Sequence, residues 1–167
     1  IANRFASLKP KVAVAISTPS AQTLRNAFMH DEIPLVFTAV TDPLEANLVT
    51  SLEKRSEPVT GISDALLAAP QLDLIVKILP KVKTIGAVYN PGEPNSVKAI
   101  NQFRQETDKR GLILIEATAD KSSDVVTAVT SLIGHVDAIY VPNDNTAVAS
   151  MEAISTLGKK YKVPVFA

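Results

Sequence analysis

Apolar and β-branched residues occur along this chain in short runs, each ending in proline and small polar residues. Between them lie longer stretches in which apolar positions recur at helical spacing. Runs of that length and composition read as strands, and the longer pattern as one face of a helix. Strands are expected at KVAVAIS (11–17), IPLVFTAV (33–40), KTIGAVYN (83–90), LILIEATA (112–119), DAIYVPN (137–143) and VPVFA (163–167), with helices over 20–29, 96–110, 123–133 and 146–161. KRGL around Gly111 and GKKYKVP before Pro164 look like helix stops. Strand–helix alternation predicts an α/β fold built on parallel sheets. From Ile85 onward the strands begin at Ile85, Leu112, Ala138 and Val163, a nearly regular α/β array. The opening IANRFASLKP reads as the tail of a helix begun upstream, which points to a fragment or a trimmed mature chain.

The stretch SLEKRSEPVTGISDALLAAP (51–70) breaks this rhythm with charges, Pro58 and Gly61. Its short VTGIS (59–63) is read as a segment carrying the chain from one sheet to another. A boundary near Ser63 and Asp64 then separates a partial first lobe, residues 1–62, from a nearly whole second lobe, residues 63–167, that includes the hinge segment.

Four strands end alike, in AISTPSAQ, AVTDPLEA, VYNPGEPNS and YVPNDNTA. Ser, Thr, Asn and Asp are ordinary helix N-caps and Pro suits a first helical turn, so capping explains any one of these loops. Four on two lobes suggest more. At the carboxyl ends of parallel strands, helix N-termini offer free N–H groups and the positive end of a dipole, a surface ready for anions. Glu93 and the Asn143–Asp144–Asn145 run exceed what capping requires.

Composition narrows the chemistry. Seventeen basic and 17 acidic residues leave a formal charge of zero, so no overall field draws the chain to a polyanion and nucleic acid is not an expected partner. Lys159, Lys160 and Lys162 around Tyr161 read as a solvated helix end. The chain has no cysteine, which removes disulfides, thiol nucleophiles and thiolate metal sites. With only 6 glycines, none clustered, it has neither a phosphate-binding GxxxxGK nor a dinucleotide GxGxxG, and no cofactor is expected. His30 and His135, beside Asp31 and Asp137, lack metal-ligand spacing, and no serine sits in a GxSxG elbow. Apolar runs such as Leu35 to Val40, broken by Thr38, fall well short of the roughly 20 residues of a membrane-spanning helix. Carboxylates at Asp42, Asp64, Glu93 and Asp144 could serve as an acid–base pair. They could equally hold a cationic amine, which needs no tuned pKa, and binding is the preferred reading.

AISTPSAQ, IPLVFTAVTDPLEANLV, VTGISD, ILPKVKTIGAVYNPGEPNSV and VDAIYVPNDNTAVAS, in that order and over essentially the whole chain, resemble extracytoplasmic substrate-binding proteins of ABC transporters associated with tryptophan, tyrosine and phenylalanine. The resemblance implies a type I periplasmic-binding fold: two α/β lobes joined by three crossings, with ligand held in the cleft and ABC permease subunits as partners. GISD looks like the first crossing and PVFA like the approach to the second. A family member is normally about twice this length and starts with a signal peptide, often of lipoprotein type. By comparison this chain lacks the first strand–helix unit of lobe one and everything after Ala167.

Carried over residue by residue, the resemblance implies that Thr18 and Ser20, with the N–H groups opening the next helix near Ala21, cradle an α-carboxylate, assisted by Thr41 and Asp42. Asp144 would meet the α-ammonium with Asn145 beside it. Asn90, Glu93, Asn95 and Ser96 would close over polar parts of the ligand, or Glu93 would latch lobe to lobe. Ser63 and Asp64 would line the site at the hinge. Tyr89 and Tyr140 are the obvious stacking candidates, although such residues are more often core or rim. Two alternatives remain open: the effector-binding domain of a transcriptional regulator with the same fold, and an α/β enzyme using Asp42 and Asp144.

Overall fold

Helix α1 (Ala2–Ser7), strand β1 (Ala13–Ile16), helix α2 (Thr18–Ala27), strand β2 (Leu35–Val40) and strand β3 (Val59–Ser63) open the chain in the computed structural model, which describes residues 1–29, 33–53 and 58–167. His30, Asp31 and the EKRSE part of the region that breaks the rhythm fall wholly or partly outside the described residues. The chain divides into two units, Ile1–Leu66 and Leu67–Ala167. The first holds a parallel three-stranded sheet in the order β1-β2-β3.

VTGIS is therefore a paired strand of the first sheet and not a linker between sheets. Its pairing with β2 runs from Val59 opposite Leu35 through to Ser63 opposite Val40, so all of β3 belongs to the first unit. Local sequence conceals this because Gly61 weakens a strand when taken alone. In the sheet that glycine is needed: a Cβ there would run into the ring of Phe37 and its carbonyl oxygen. The register shifts between Phe37 and Val40, where Ala39 takes φ 52°, the extra residue of a bulge at the end of β2. Phe28, Leu35, Phe37, Val40 and Leu48 form this unit's core.

β2 does not feed a helix, as the repeated loop pattern suggested. The residues after it form turns in which Asp42 Oδ1 accepts the N–H groups of Leu44 and Glu45 at 2.9 and 3.0 Å. Asn47 at φ 55° follows immediately, and a residue in that left-handed region ends helical propagation.

The second unit runs through α3 (Ala68–Ile78), β4 (Thr84–Tyr89), α4 (Pro94–Lys109), β5 (Ile113–Thr118), a 3-10 turn at Ser122–Asp124, α5 (Val125–Leu132), β6 (Ala138–Tyr140), α6 (Asn145–Val148), α7 (Met151–Tyr161) and β7 (Val165–Phe166). Its sheet is parallel in the order β5-β4-β6-β7. Central strands buried on both faces read as continuous apolar runs, as IGAV and AIY do. Ile85, Ala87, Ala138 and Tyr140 pack with Leu72, Ile75 and Phe103 on one side. Val88, Ile139 and Val141 pack with Val125, Val129 and Ile154 on the other. Phe103 and Tyr140 stack with ring centroids 4.0 Å apart and planes 8° from parallel.

Two elements differ from the sequence expectation. Helix α3 was not foreseen because Pro70 reads as a breaker, yet it lies in the first turn, where a missing N–H costs nothing, and Ala68, Leu72 and Ile75 form its buried stripe. The single helix expected over 146–161 is split into α6 and α7 at Ala149 and Ser150, where the Ser150 hydroxyl donates to the Ser122 carbonyl at 3.1 Å.

Charged groups fasten the periphery of this unit. Glu116 on β5, the outermost strand, accepts Arg104 Nε and Nη2 on Oε1 at 2.8 and 2.6 Å, and the Tyr89 hydroxyl on Oε2 at 3.0 Å. At the opposite ends of the strands, Asp137 Oδ2 accepts the N–H groups of Lys83 and Thr84 at 2.8 and 2.9 Å. Among the described residues no helix is long and apolar enough to cross a membrane.

Candidate ligand-binding loops

In the first unit the chain leaves β1 through Ser17, whose φ of 81° and ψ of 155° swing it straight into α2. A non-glycine residue there is strained, and such strain gathers where a binding or catalytic geometry is enforced. The Ser17 N–H is held by the Thr38 carbonyl at 3.1 Å, and its own carbonyl accepts the first helical bond from Ala21. Thr18 and Ala21 point into the unit's interior, at 2% and 0% exposure, so at this surface they can offer only backbone. Ser20 is exposed and its hydroxyl accepts from Ser17 Oγ at 3.2 Å. The Ser17 side chain, at the N-cap position, makes no cap bond to α2. Pro19 carries no N–H, which leaves those of Thr18 and Ser20 at the positive end of the helix without intrahelical acceptors.

The other first-unit candidates gather at the same ends of β2 and β3. Thr41 is buried and its carbonyl accepts the Ser63 hydroxyl at 2.9 Å. Asp42 spends Oδ1 on its own turn, while Ser63 and Asp64 are exposed, with the Asp64 N–H on the Val40 carbonyl at 3.0 Å.

In the second unit the structure brings Asn90, Glu93, Asn95, Asp144 and Asn145 into one network. Glu93, 6% exposed, stands at the N-cap position of α4 but caps a different helix. Its Oε2 accepts the Asn145 N–H at 3.0 Å and Asn145 Nδ2 at 2.6 Å; its Oε1 accepts the Thr146 N–H at 3.0 Å and Thr146 Oγ1 at 2.8 Å. Burial by itself would push this carboxyl up. The hydrogen bonds from Asn145, Thr146 and Asn95 outweigh it and hold the group below the usual carboxylate range.

Asp144, 1% exposed, caps its own helix by accepting the Ala147 N–H on Oδ1 at 2.6 Å and takes the Asn90 N–H on Oδ2 at 2.6 Å. Asn90 Nδ2 donates to Thr146 Oγ1 at 2.9 Å, and Asn95 Nδ2 donates to the Asn143 carbonyl at 2.6 Å. Ser96 is fully buried beneath them, and Asn95 Oδ1 is a buried acceptor with no donor among the described residues.

All four opening N–H groups of α6 are thereby used: Asn145 and Thr146 on Glu93, Ala147 on the Asp144 carboxylate and Val148 on its carbonyl. The expectation that every strand-end loop is ready for an anion does not hold for this one, because two carboxylates already occupy it. Tyr140 is no stacking platform either; it is buried against Phe103 with its hydroxyl on Gln71 Oε1 at 2.7 Å. Tyr89 has its hydroxyl committed to Glu116. Sequence reasoning gave no role to Ser17 or Thr146. The repeated strand-end pattern flagged both loops, but neither a positive φ nor a partner 53 residues away leaves a local sequence signal.

The family described as ABC transporter substrate binding protein matches residues 1–167. A tyrosine-binding protein of Clostridioides difficile (strain R20291) is 42% identical over 167 residues, 100% of this chain and 48% of that protein. Among solved structures, a conserved domain protein from Vibrio cholerae O1 biovar El Tor is 44% identical at a TM-score of 0.94, covering 99% of this chain and 55% of the other. An ABC domain from Streptococcus pneumoniae, solved in complex with L-Trp, is 34% identical at a TM-score of 0.93, again covering 99% of this chain and 55% of the other. The chain spans about half the length of these relatives. Its parallel sheets with flanking helices are those of type I periplasmic binding proteins. With one family running over residues 1–167 and a relative 42% identical across the same span, the chain belongs to the ABC transporter substrate-binding protein family.

Proposed function

We propose that this chain is the ligand-binding part of an extracytoplasmic solute receptor that captures an aromatic amino acid and passes it to the permease of an ABC importer. The ligand is released unchanged, so the reading requires neither catalysis nor a cofactor. The receptor works in the periplasm or as a membrane-tethered lipoprotein.

The observation that carries the reading is the contrast between two helix starts. A free amino acid presents a carboxylate and an ammonium. At α2 the Thr18 and Ser20 N–H groups and the exposed Ser20 hydroxyl suit the carboxylate, and the N-cap residue Ser17 makes no side-chain cap to that helix. At α6 the helix end is filled by Glu93 and Asp144, and their negative charge lies behind the exposed Asn145, which gives that loop the sign an ammonium needs. In the first unit Thr41, Asp42, Ser63 and Asp64 are the remaining polar groups at the strand ends; in the second, Asn90 follows β4, with Asn95 tied to the Asn143 carbonyl and Ser96 buried. The aromatic class is favoured by relatives named as a tyrosine-binding protein and as an L-Trp complex.

Isothermal titration of this chain with L-Trp, L-Tyr and L-Phe, against L-Leu and L-Lys as controls, tests the reading. Saturable heat with the aromatic amino acids and none with the controls is expected. No binding of any aromatic amino acid at millimolar concentration would overturn it.

A further inference from the structure

Building on that reading, we propose that Glu93 is a positioning residue whose carboxylate fastens the β4–α4 loop to the start of α6, so that the two strand-end loops of the second unit present one preorganised wall to the ligand. An N-cap residue ordinarily turns its side chain back onto the first turn of its own helix. Glu93 caps no backbone N–H of α4, and within that helix its Oε2 meets Asn95 Nδ2 at 3.2 Å; its two oxygens also reach across to Asn145 and Thr146, 52 and 53 residues further along. The ties run in the other direction too, since Asp144 accepts the Asn90 N–H and the Asn143 carbonyl accepts Asn95 Nδ2.

Helix α6 is only four residues long, far too short to persist on its own hydrogen bonds, so its geometry is borrowed from these contacts. Asn145, the exposed member of the loop, is held at both its backbone N–H and its side-chain amide by one oxygen of Glu93. Removing that oxygen frees the group that the proposed function turns toward the ligand. The cost of ordering it would then fall on binding instead of on folding.

The test separates this role from general stabilisation. In Glu93→Gln the amide NH2 must face an N–H donor, and hydrogen exchange should accelerate at Asn145, Thr146, Ala147 and Asn90 while the amides of Ile85–Val88 and Val129–Leu132 keep their rates. Asp137→Asn serves as the comparison, because it weakens two backbone bonds at the far ends of the same strands and touches neither loop. L-Tyr affinity, read by titration, should fall about tenfold in Glu93→Gln and stay at the parent value in Asp137→Asn. Unchanged exchange at Asn145 and Thr146, or equal affinity in the two variants, would overturn the proposal. Absence of binding of every aromatic amino acid in the parent chain would overturn the ligand reading alone, and the exchange rates would still decide whether Glu93 fastens the loops.

Discussion

Asp144 divides its carboxylate between two backbone donors, Oδ2 taking the Asn90 N–H and Oδ1 the Ala147 N–H, each at 2.6 Å. A plain N-cap needs one acceptor, and Asn serves there about as well as Asp. Here the amide of Asp144→Asn has a single oxygen for two donors and must point its NH2 at one of them. A buried donor left unmatched costs about 1–3 kcal/mol. Urea denaturation should show the midpoint of Asp144→Asn falling accordingly at unchanged slope; a parental midpoint would mean that one of the two bonds contributes nothing.

Glu93 makes loop stability depend on pH. Burial opposes its charge, but the hydrogen bonds from Asn145, Thr146 and Asn95 outweigh burial and hold the carboxyl below its ordinary range, so the folded state binds the proton less readily than the unfolded state. The contribution is complete above the unfolded value and is lost as pH falls through the lower folded one. The gap in urea midpoint between the parent chain and Glu93→Gln should therefore be widest near neutrality and close in acid. A constant gap down to the acid limit would contradict the argument.

Tyr140 behaves in the opposite sense. Burial pushes its phenol up to about 12 from 10.0. Its stabilising effect is present below the unfolded value and drains away as pH rises from there toward the folded one. Tyr140→Phe keeps the stack on Phe103 and loses the bond to Gln71, a cost of about 1 kcal/mol at neutral pH. Phe103→Ala, which empties a fully buried site, should cost about 3–5 kcal/mol. Chemical denaturation of the two variants should keep that order.

Gly158 lies within α7, where alanine would ordinarily gain about 1 kcal/mol in helix propensity. A Cβ at this position would come 2.6 Å from Val165 Cγ2 and 2.8 Å from the Val163 carbonyl oxygen, and the carbonyl cannot rotate away. Overpacking of this kind costs about 1–3 kcal/mol, so Gly158→Ala should be net destabilising in a thermal melt. A raised melting temperature would show that α7 can lift from β7 at little cost.

The α/β character was plain in the sequence wherever burial is two-sided. IGAV and AIY are buried at every position because helices cover both faces, and a continuous apolar run survives any local ambiguity. VTGIS was harder, since only pairing with β2 and the ring of Phe37 explain its glycine. Helix α3 hid behind Pro70, which is harmless in a first turn and disruptive anywhere later. Among the site residues, sequence showed which loops were polar but not where each side chain pointed. Glu93 and Asp144 looked surplus to capping because their donors lie on another loop, or on two loops at once.

The ion pair on β5 bears on how firmly an edge strand is held. β5 is the last strand on its side of the sheet, and Glu116 sits within it, joined to Arg104 of α4 at 2.6 Å. β5 has backbone bonds to β4 on one side alone, and the Arg104–Glu116 pair adds a second attachment, to α4, so a strand with half the usual ladder is held by side chains as well.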